Sequence, residues 1–294
     1  LSTIAVTGAA GFLGRRVLGA LKARGDRVVA IDRVAKPVEG EDATWVTADL
    51  LDPSSYEAAL AGVECVLHLA AITGKAPPAA YRRVNVEATE ALLGAAKRAG
   101  VRRFVLVSSI AVAFPDRRHY PYADSKAAAE ALVRDSGLAW TIVRPTMILG
   151  SGSPIQAALA KLATLPVSPM FGSGKRLVQP VDVSDVARLL AALAHEPDAA
   201  GATVEVGGPT SYTLNELYAR LRAHDGAAGS VRLVHLPVGP IRALLALVEA
   251  PLLPVLPLTA GQLASFVNDS VAAPHPLMDK LLPVRAETPA KTNA

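Results

Sequence analysis

Three residues, Ser109, Tyr122 and Lys126, have the types and the spacing to move a proton. Tyr122 and Lys126 stand four apart in YADSK, so a helix would bring them to one face. An ammonium beside a phenol favours the phenolate and lowers its pKa from about 10 towards neutrality. Such a tyrosine exchanges a proton with a substrate hydroxyl or carbonyl while a nicotinamide gives or takes a hydride. Ser109 lies thirteen residues before Tyr122 and closes the run VLVSS. That places it at the C-terminal end of a strand, where it can hydrogen-bond the same oxygen. A Tyr-x-x-x-Lys pair by itself is a common exposed helix pair, and its weight comes from a second pattern at the start of the chain.

That pattern is TGAAGFLG, residues 7–14, between the β-branched run TIAVT and a helical period. Gly8 permits a tight turn, Gly11 lets a diphosphate approach the backbone, and Gly14 lets the helix pack closely. Free N–H groups and the positive end of the helix dipole then face the phosphates. Asp32, eighteen residues beyond Gly14, ends the next strand and can accept hydrogen bonds from an adenosine ribose. A carboxylate there repels a 2′-phosphate, which points to NAD. The adjacent Arg33 could meet that phosphate and keeps NADP open.

Such residues must be held by a scaffold, and its periodicity is legible. Strand patterns TIAVTG, RVVAID, TWVTAD, CVLHLAA, RFVLVSS and AWTIVRP alternate with helix patterns FLGRRVLGALKARG, PSSYEAALAG, YRRVNVEATEALLGAAKRAG and YADSKAAAEALVRDSG. Short strands that are apolar on both faces, joined by crossover helices, predict an α/β fold with a doubly wound, Rossmann-type parallel sheet. The dinucleotide-binding domain is expected over residues 1–150. Residues 151–294 read as a mixed segment: about 175–206, with VSDVARLLAALAH and TVEVGG, completes the sheet, and the rest forms a small substrate-binding lobe. The last stretch, VRAETPAKTNA, is polar and expected to fray.

With these motifs in place, the chain resembles the extended or atypical short-chain dehydrogenase/reductases of the NAD-dependent epimerase/dehydratase group over nearly its whole length. TGAAGFLG, with Phe12 and Leu13, matches that family's cofactor loop. ADLLD, with Asp49 and Leu50, matches its segment beside the adenine. HLAA, with Leu69, Ala70 and Ala71, matches the strand under the cofactor, and Asn85 falls in a matching helix–strand block. Pro145, in RPTMILG, belongs to a later hallmark segment, as does QPVDVSDVA. The resemblance implies Ser109, Tyr122 and Lys126 as the catalytic set. It makes Tyr122 and Lys126 cofactor contacts as well and implies a homodimer through helices at about 78–99 and 121–136. The chain departs from the sugar-nucleotide members: Ala113-Phe114 replaces a Tyr-Gly pair, Leu149 replaces a tyrosine, and Leu177 and Pro180 replace an acid and a histidine. Part of the C-terminal half resembles the NAD(P)H-binding accessory subunit of respiratory complex I.

Two functions follow from these residues. One is an NAD(P)-dependent oxidoreductase or epimerase/dehydratase acting on a sugar nucleotide or on a hydrophobic alcohol or ketone. The other is a non-catalytic dinucleotide-binding subunit. The 294 residues carry a net charge of +4, with basic residues dispersed and no basic stripe interleaved with aromatics, which argues against nucleic acid. The single cysteine, Cys65, excludes an intrachain disulfide, and the six histidines show no ligand spacing, so no metal is expected. His68 reads as a core or strand-end residue, and Arg144 as a partner for a core carboxylate. The chain opens directly on a strand, and the expected location is cytoplasmic. Residues 236–258 are very apolar but include Arg242, Glu249 and five prolines, which argues against a membrane span. They predict a buried or half-exposed helix followed by a Pro-rich loop, with peripheral membrane contact as the alternative.

Overall fold

A computed structural model describes residues 2–34, 43–224 and 232–285. Seven parallel strands form the main sheet: β1 (Thr3–Thr7), β2 (Arg27–Asp32), β3 (Ala43–Thr47), β4 (Cys65–His68), β5 (Arg103–Val107), β6 (Ala139–Pro145) and β7 (Ala202–Val206). Their order across the sheet is β7-β6-β5-β4-β1-β2-β3. The order reverses between β1 and β4, and ligands of open α/β sheets bind at such a switch point, outside the carboxyl ends of the strands.

Alternation along each strand feeds two cores. Ile4, Val6, Val28 and Ala30 face one side and pack with α1 (Phe12–Ala23) and, further along the chain, with the helix Val183–Leu193. Ala5, Val29 and Ile31 face the other side and pack with Leu92, Leu93, Ala95 and Ala96 of α2 (Ala88–Arg98) and with Ala129 and Val133 of α3 (Pro121–Arg134). The α1 helix stops where Gly25 and Asp26 donate their amides to the Lys22 and Leu21 carbonyls, at 2.9 and 3.1 Å.

The structure redraws several boundaries. PSSYEAALAG folds as two 3₁₀ turns, Pro53–Ser55 and Glu57–Leu60, because Tyr56 between them has extended φ and ends the first turn. The long helix read over 81–100 is three pieces: a turn at Pro78–Tyr81, a π-helical segment at Arg82–Glu87, and α2. A helix the sequence reading missed, α4 (Pro154–Ala163), follows the GSGSP loop; Ser153 caps it by accepting the Gln156 amide. Further along lie α5 (Val183–Leu193), α6 (Leu214–His224) and α7 (Val238–Leu252), followed by two short helices at Ala264–Val267 and Pro276–Leu281. The small lobe has its own apolar centre, in which Leu159, Met170, Leu217, Tyr218 and Leu221 are buried together. Residues 286–294, most of the tail expected to fray, lie outside the described residues.

The α7 helix is a surface helix rather than a core one, with only Arg242 and Leu245 buried. The lobe is clasped to the segment that leads into α3. Arg242 donates to Asp116 at 2.7 Å, and Asn268 holds the Asp116 backbone from both sides, accepting its N–H at 3.1 Å and donating to its carbonyl at 2.8 Å. Arg118 and then Arg242 hold the Asp116 carboxyl well below the usual carboxylate range.

Candidate active site

At the start of α1 the chain makes a turn only glycines fit. Gly8 has φ +72, and a Cβ there would lie 2.8 Å from the Ala70 amide nitrogen on the neighbouring strand end. A Cβ on Gly14 would lie 2.2 Å from the Gly8 carbonyl and 2.7 Å from that of Ala9. Gly14 therefore serves the turn's own backbone rather than helix–sheet packing, which corrects the reason expected for it. Gly11 is exposed and has only the Gly8 carbonyl nearby, at 3.1 Å, so its open side is left for a ligand. The first turn of α1 carries no acid, as an anion at its N-terminus requires.

A cleft of about 420 Å³ opens over this turn. It is lined by Gly8, Gly11, Asp32, Arg33, Asp49, Leu50 and Leu69–Ala71, and also by Ile31, Ala48, Leu51, Ile72, Arg83, Val84 and Ala88. Arg83 is the notable omission from the sequence reading; the Arg82-Arg83 pair just ahead of Asn85 was the available signal. Asp32 accepts the Ala10 amide at 3.0 Å and so ties the end of β2 to the glycine turn. Asp49 accepts the Leu51 amide at 3.0 Å. Phe12, Leu13, Gly14, Asn85 and Pro145 lie outside the lining, as do Ser109, Tyr122 and Lys126; Leu13 packs on the core and Pro145 is buried at the end of β6. The glycine cradle, the acid-free helix end and the open cleft fit a dinucleotide.

The floor beside the turn is wired by hydrogen bonds. Thr89 spends its hydroxyl proton on the Asn85 carbonyl, at 2.8 Å, so His68 Nε2 must donate to Thr89, also at 2.8 Å. His68 Nδ1 then accepts from Thr7 at 2.7 Å, and Thr7 accepts the Ala70 amide at 3.3 Å. Burial pushes the His68 pKa down to about 3, so the ring is neutral and structural. Asn85, turned inward by the π-helical segment, brackets the Ile72 backbone, accepting its N–H at 2.8 Å and donating to its carbonyl at 3.1 Å. It also donates to Ser125 at 3.0 Å, and Ser125 donates to the Tyr122 carbonyl at 2.7 Å. Asn85 thus joins the cleft loop to the helix that carries Tyr122.

Tyr122 and Lys126 lie on α3, one turn apart. Ser109 follows β5 and caps a 3₁₀ turn, accepting the Ala111 amide at 3.2 Å, and its hydroxyl interacts with the Tyr122 phenol. The phenol ring packs edge-on to Tyr81, 6.1 Å between centroids, and against Tyr120 at 5.7 Å. Ile110, Ala111, Phe114 and Ala264 complete an apolar cluster around it. Electrostatics here depart from expectation. Burial pushes the Tyr122 pKa up, with Ser109 opposing, and Lys126 is not among the groups that move it. Lys126 is only 3% exposed, and burial lowers its own pKa to about 8 against the favourable charge of Glu130. Glu130, one turn further on α3, is buried and accepts from Ser108 at 2.6 Å, from Arg144 at 2.7 and 2.8 Å, and from Arg134 at 2.8 Å. The core carboxylate expected for Arg144 is this one. Arg176 pairs with Asp269 at 3.7 Å, away from the cleft lining.

The glycine turn gives a direct test. Gly14→Ala should abolish measurable NAD binding by calorimetry and lower the melting temperature, because the new methyl group meets backbone carbonyls that cannot move aside. Unchanged NAD affinity would show that the turn is not the cradle.

Comparison with known proteins places these features. Residues 4–207 match the family model described as the NAD dependent epimerase/dehydratase family. A ceramide reductase from Caulobacter vibrioides is 34% identical over 251 residues, covering 84% of this chain and 77% of that protein. A 2-alkyl-3-oxoalkanoate reductase from Stenotrophomonas maltophilia is 30% identical over 250 residues, covering 76% of each. Among solved structures, MoeE5 in complex with UDP-glucuronic acid and NAD superposes with a TM-score of 0.75 at 26% identity, covering 98% of this chain and 94% of that one.

Proposed function

Because this chain belongs to the NAD-dependent epimerase/dehydratase family and is an NAD-dependent enzyme of that family, we propose that it interconverts a carbonyl and a hydroxyl on an apolar small molecule, with Tyr122 as the proton donor and acceptor. The observation that carries this reading is the apolar, aromatic surround of a phenol that has a serine hydroxyl beside it and a buried lysine one turn away. The reductase names of the two sequence relatives, and the loss of the sugar-nucleotide residues at positions 113, 149, 177 and 180, support an oxo compound with an alkyl chain over a sugar.

The backbone of the glycine turn and the α1 N-terminus would hold the diphosphate, and Asp32 the adenosine ribose. When bound, the dinucleotide supplies or takes up a hydride at its nicotinamide ring. In the reduction direction Tyr122 gives its proton to the substrate oxygen. Its raised pKa suits that task, since the phenol stays protonated throughout the neutral range. Ser109 orients the same oxygen by hydrogen bonding. The Lys126 ammonium, buried one turn further along α3, would hold the nicotinamide ribose when the dinucleotide is bound.

The reading predicts a specific pH profile. With NADH and a panel of alkyl ketones, kcat/KM followed by nicotinamide absorbance should be flat from about pH 6 to 7.5. It should then fall with an apparent pKa near the Lys126 value of about 8, as the ammonium loses its charge. His68, neutral throughout, adds no limb near pH 6.5. Tight NAD binding with no turnover across the panel would instead identify a non-catalytic binding subunit.

A further inference from the structure

Four exposed large apolar side chains fall within one short stretch of the chain. Leu244, Leu247, Leu252 and Val255 are 60, 80, 44 and 76% exposed, along α7 and the Pro-rich segment that follows it. Soluble monomers rarely leave such a run uncovered without a partner. We propose that this face docks on an anionic phospholipid bilayer, inserting into the boundary between headgroups and acyl chains. The proposed apolar substrate supplies the reason for docking, so in that respect the inference rests on the reading of the site given above.

Charge and backbone chemistry select the occupant. Between residues 238 and 258 the chain holds one basic and one acidic residue, and both turn inward. Arg242 is 7% exposed and bonds Asp116, and Glu249 accepts the Ala260 amide at 2.8 Å. Both charges of this stretch are therefore engaged by the protein itself. The backbone behind it is largely satisfied from within. Lys75 Nζ donates to the Leu256 carbonyl and lies 3.4 Å from those of Leu253 and Pro254, while Val255 and Leu256 amides close on the Leu252 carbonyl at 3.0 and 3.1 Å. Pro251, Pro254 and Pro257 have no N–H to desolvate. A segment whose polar backbone is already paired enters a low-dielectric boundary at little cost, and apolar burial then drives insertion. Lys75, exposed at the edge, adds a cation to a chain of net charge +4.

The face is continuous with the site. Lys75 belongs to the loop in which the Tyr81 hydroxyl bonds the Gly74 carbonyl, and the Tyr81 ring lies against Tyr122. At the other end of the segment, Gly261 packs on the backbone of His119 and Tyr120, where a Cβ would be 2.1 Å from the His119 carbonyl. A lipid-borne ketone would thus meet the aromatic cluster directly on leaving the bilayer.

Sedimentation with vesicles tests this on the whole chain, without substrate. The protein should pellet with phosphatidylcholine vesicles containing phosphatidylglycerol and much less with phosphatidylcholine alone. Leu247→Glu and Val255→Glu, at outward positions, should each weaken binding tenfold or more and leave the melting temperature unchanged. Turnover of a short, water-soluble ketone should stay the same in both variants. A protein that remains in the supernatant with both vesicle types, or variants that bind as well as the parent, overturns the proposal. So does a parent dimer that the two substitutions convert to monomer on size-exclusion chromatography, since the face would then belong to a second copy. Failure to find any ketone substrate leaves the vesicle result standing and strikes only at the proposed reaction.

Discussion

Tyr122→Phe is expected to lower kcat for carbonyl reduction by about 10²–10⁴-fold, the usual worth of a positioned proton donor, and to leave NAD affinity and the melting temperature nearly as they were. The substitution removes one oxygen and keeps the ring, which packs against Tyr81 and Tyr120 and lies in the apolar cluster with Ala264. The fold therefore has no reason to change. Ser109 would lose its phenolic partner but keep the Ala111 amide that it caps. The check is steady-state kinetics beside calorimetric NAD binding on the same preparation. Turnover within a few-fold of the parent would remove Tyr122 from the reaction and leave the fold and the cofactor cradle untouched.

Glu130→Gln should cause the largest loss of stability, about 3–5 kcal/mol, the cost of breaking a buried ion pair from one side. The Glu130 side chain is 1% exposed and Arg144 18%, and the guanidinium meets the carboxylate through both Nε and Nη2. Burial alone would raise the Glu130 pKa; Arg144, Ser108 and Arg134 together outweigh it and hold the carboxylate ionised. An amide of the same shape leaves Arg144 with Glu205, at 3.6 Å, as its remaining acid. Denaturant unfolding reads the loss. A second readout separates a positioning role from a merely structural one. Glu130 favours the charged form of Lys126, so its neutralisation should lower the Lys126 pKa below about 8. The basic limb of kcat/KM should then begin at a lower pH. A stable Glu130→Gln protein with an unmoved limb would show that the carboxylate neither secures the core nor tunes the lysine.

Much of the site could be read without coordinates because its chemistry is local. The glycine turn is a constraint on eight consecutive residues, and Asp32 ends the next strand of the same βαβ unit. The Tyr122–Lys126 pair is one helical turn. Alternation of apolar residues on β1 and β2, each side filling a different core, is likewise a short-range pattern. Glu130 was not singled out, because a glutamate four residues past Lys126 in AAAEALVR reads as an ordinary exposed helix position. Only the approach of Arg144, fourteen residues on and from the next strand, makes it a buried anion. Asn85 is similar. Its two bonds to Ile72 depend on a π-helical segment that no periodicity announces.

The sequence by itself determined the sheet, the glycine turn and the Tyr122–Lys126 pair proposed to move the proton, because each depends on residues close enough along the chain to be coupled by backbone geometry. The tertiary structure decided how those side chains are charged. It raised the phenol by burying it, lowered the lysine to about 8, neutralised His68 and left the Arg144–Glu130 pair ionised inside the protein. It also turned the apolar 238–258 stretch outward by spending its two charges on inward contacts. Protonation follows local dielectric and neighbouring charge, and both are set by strands and helices that meet only when the chain folds.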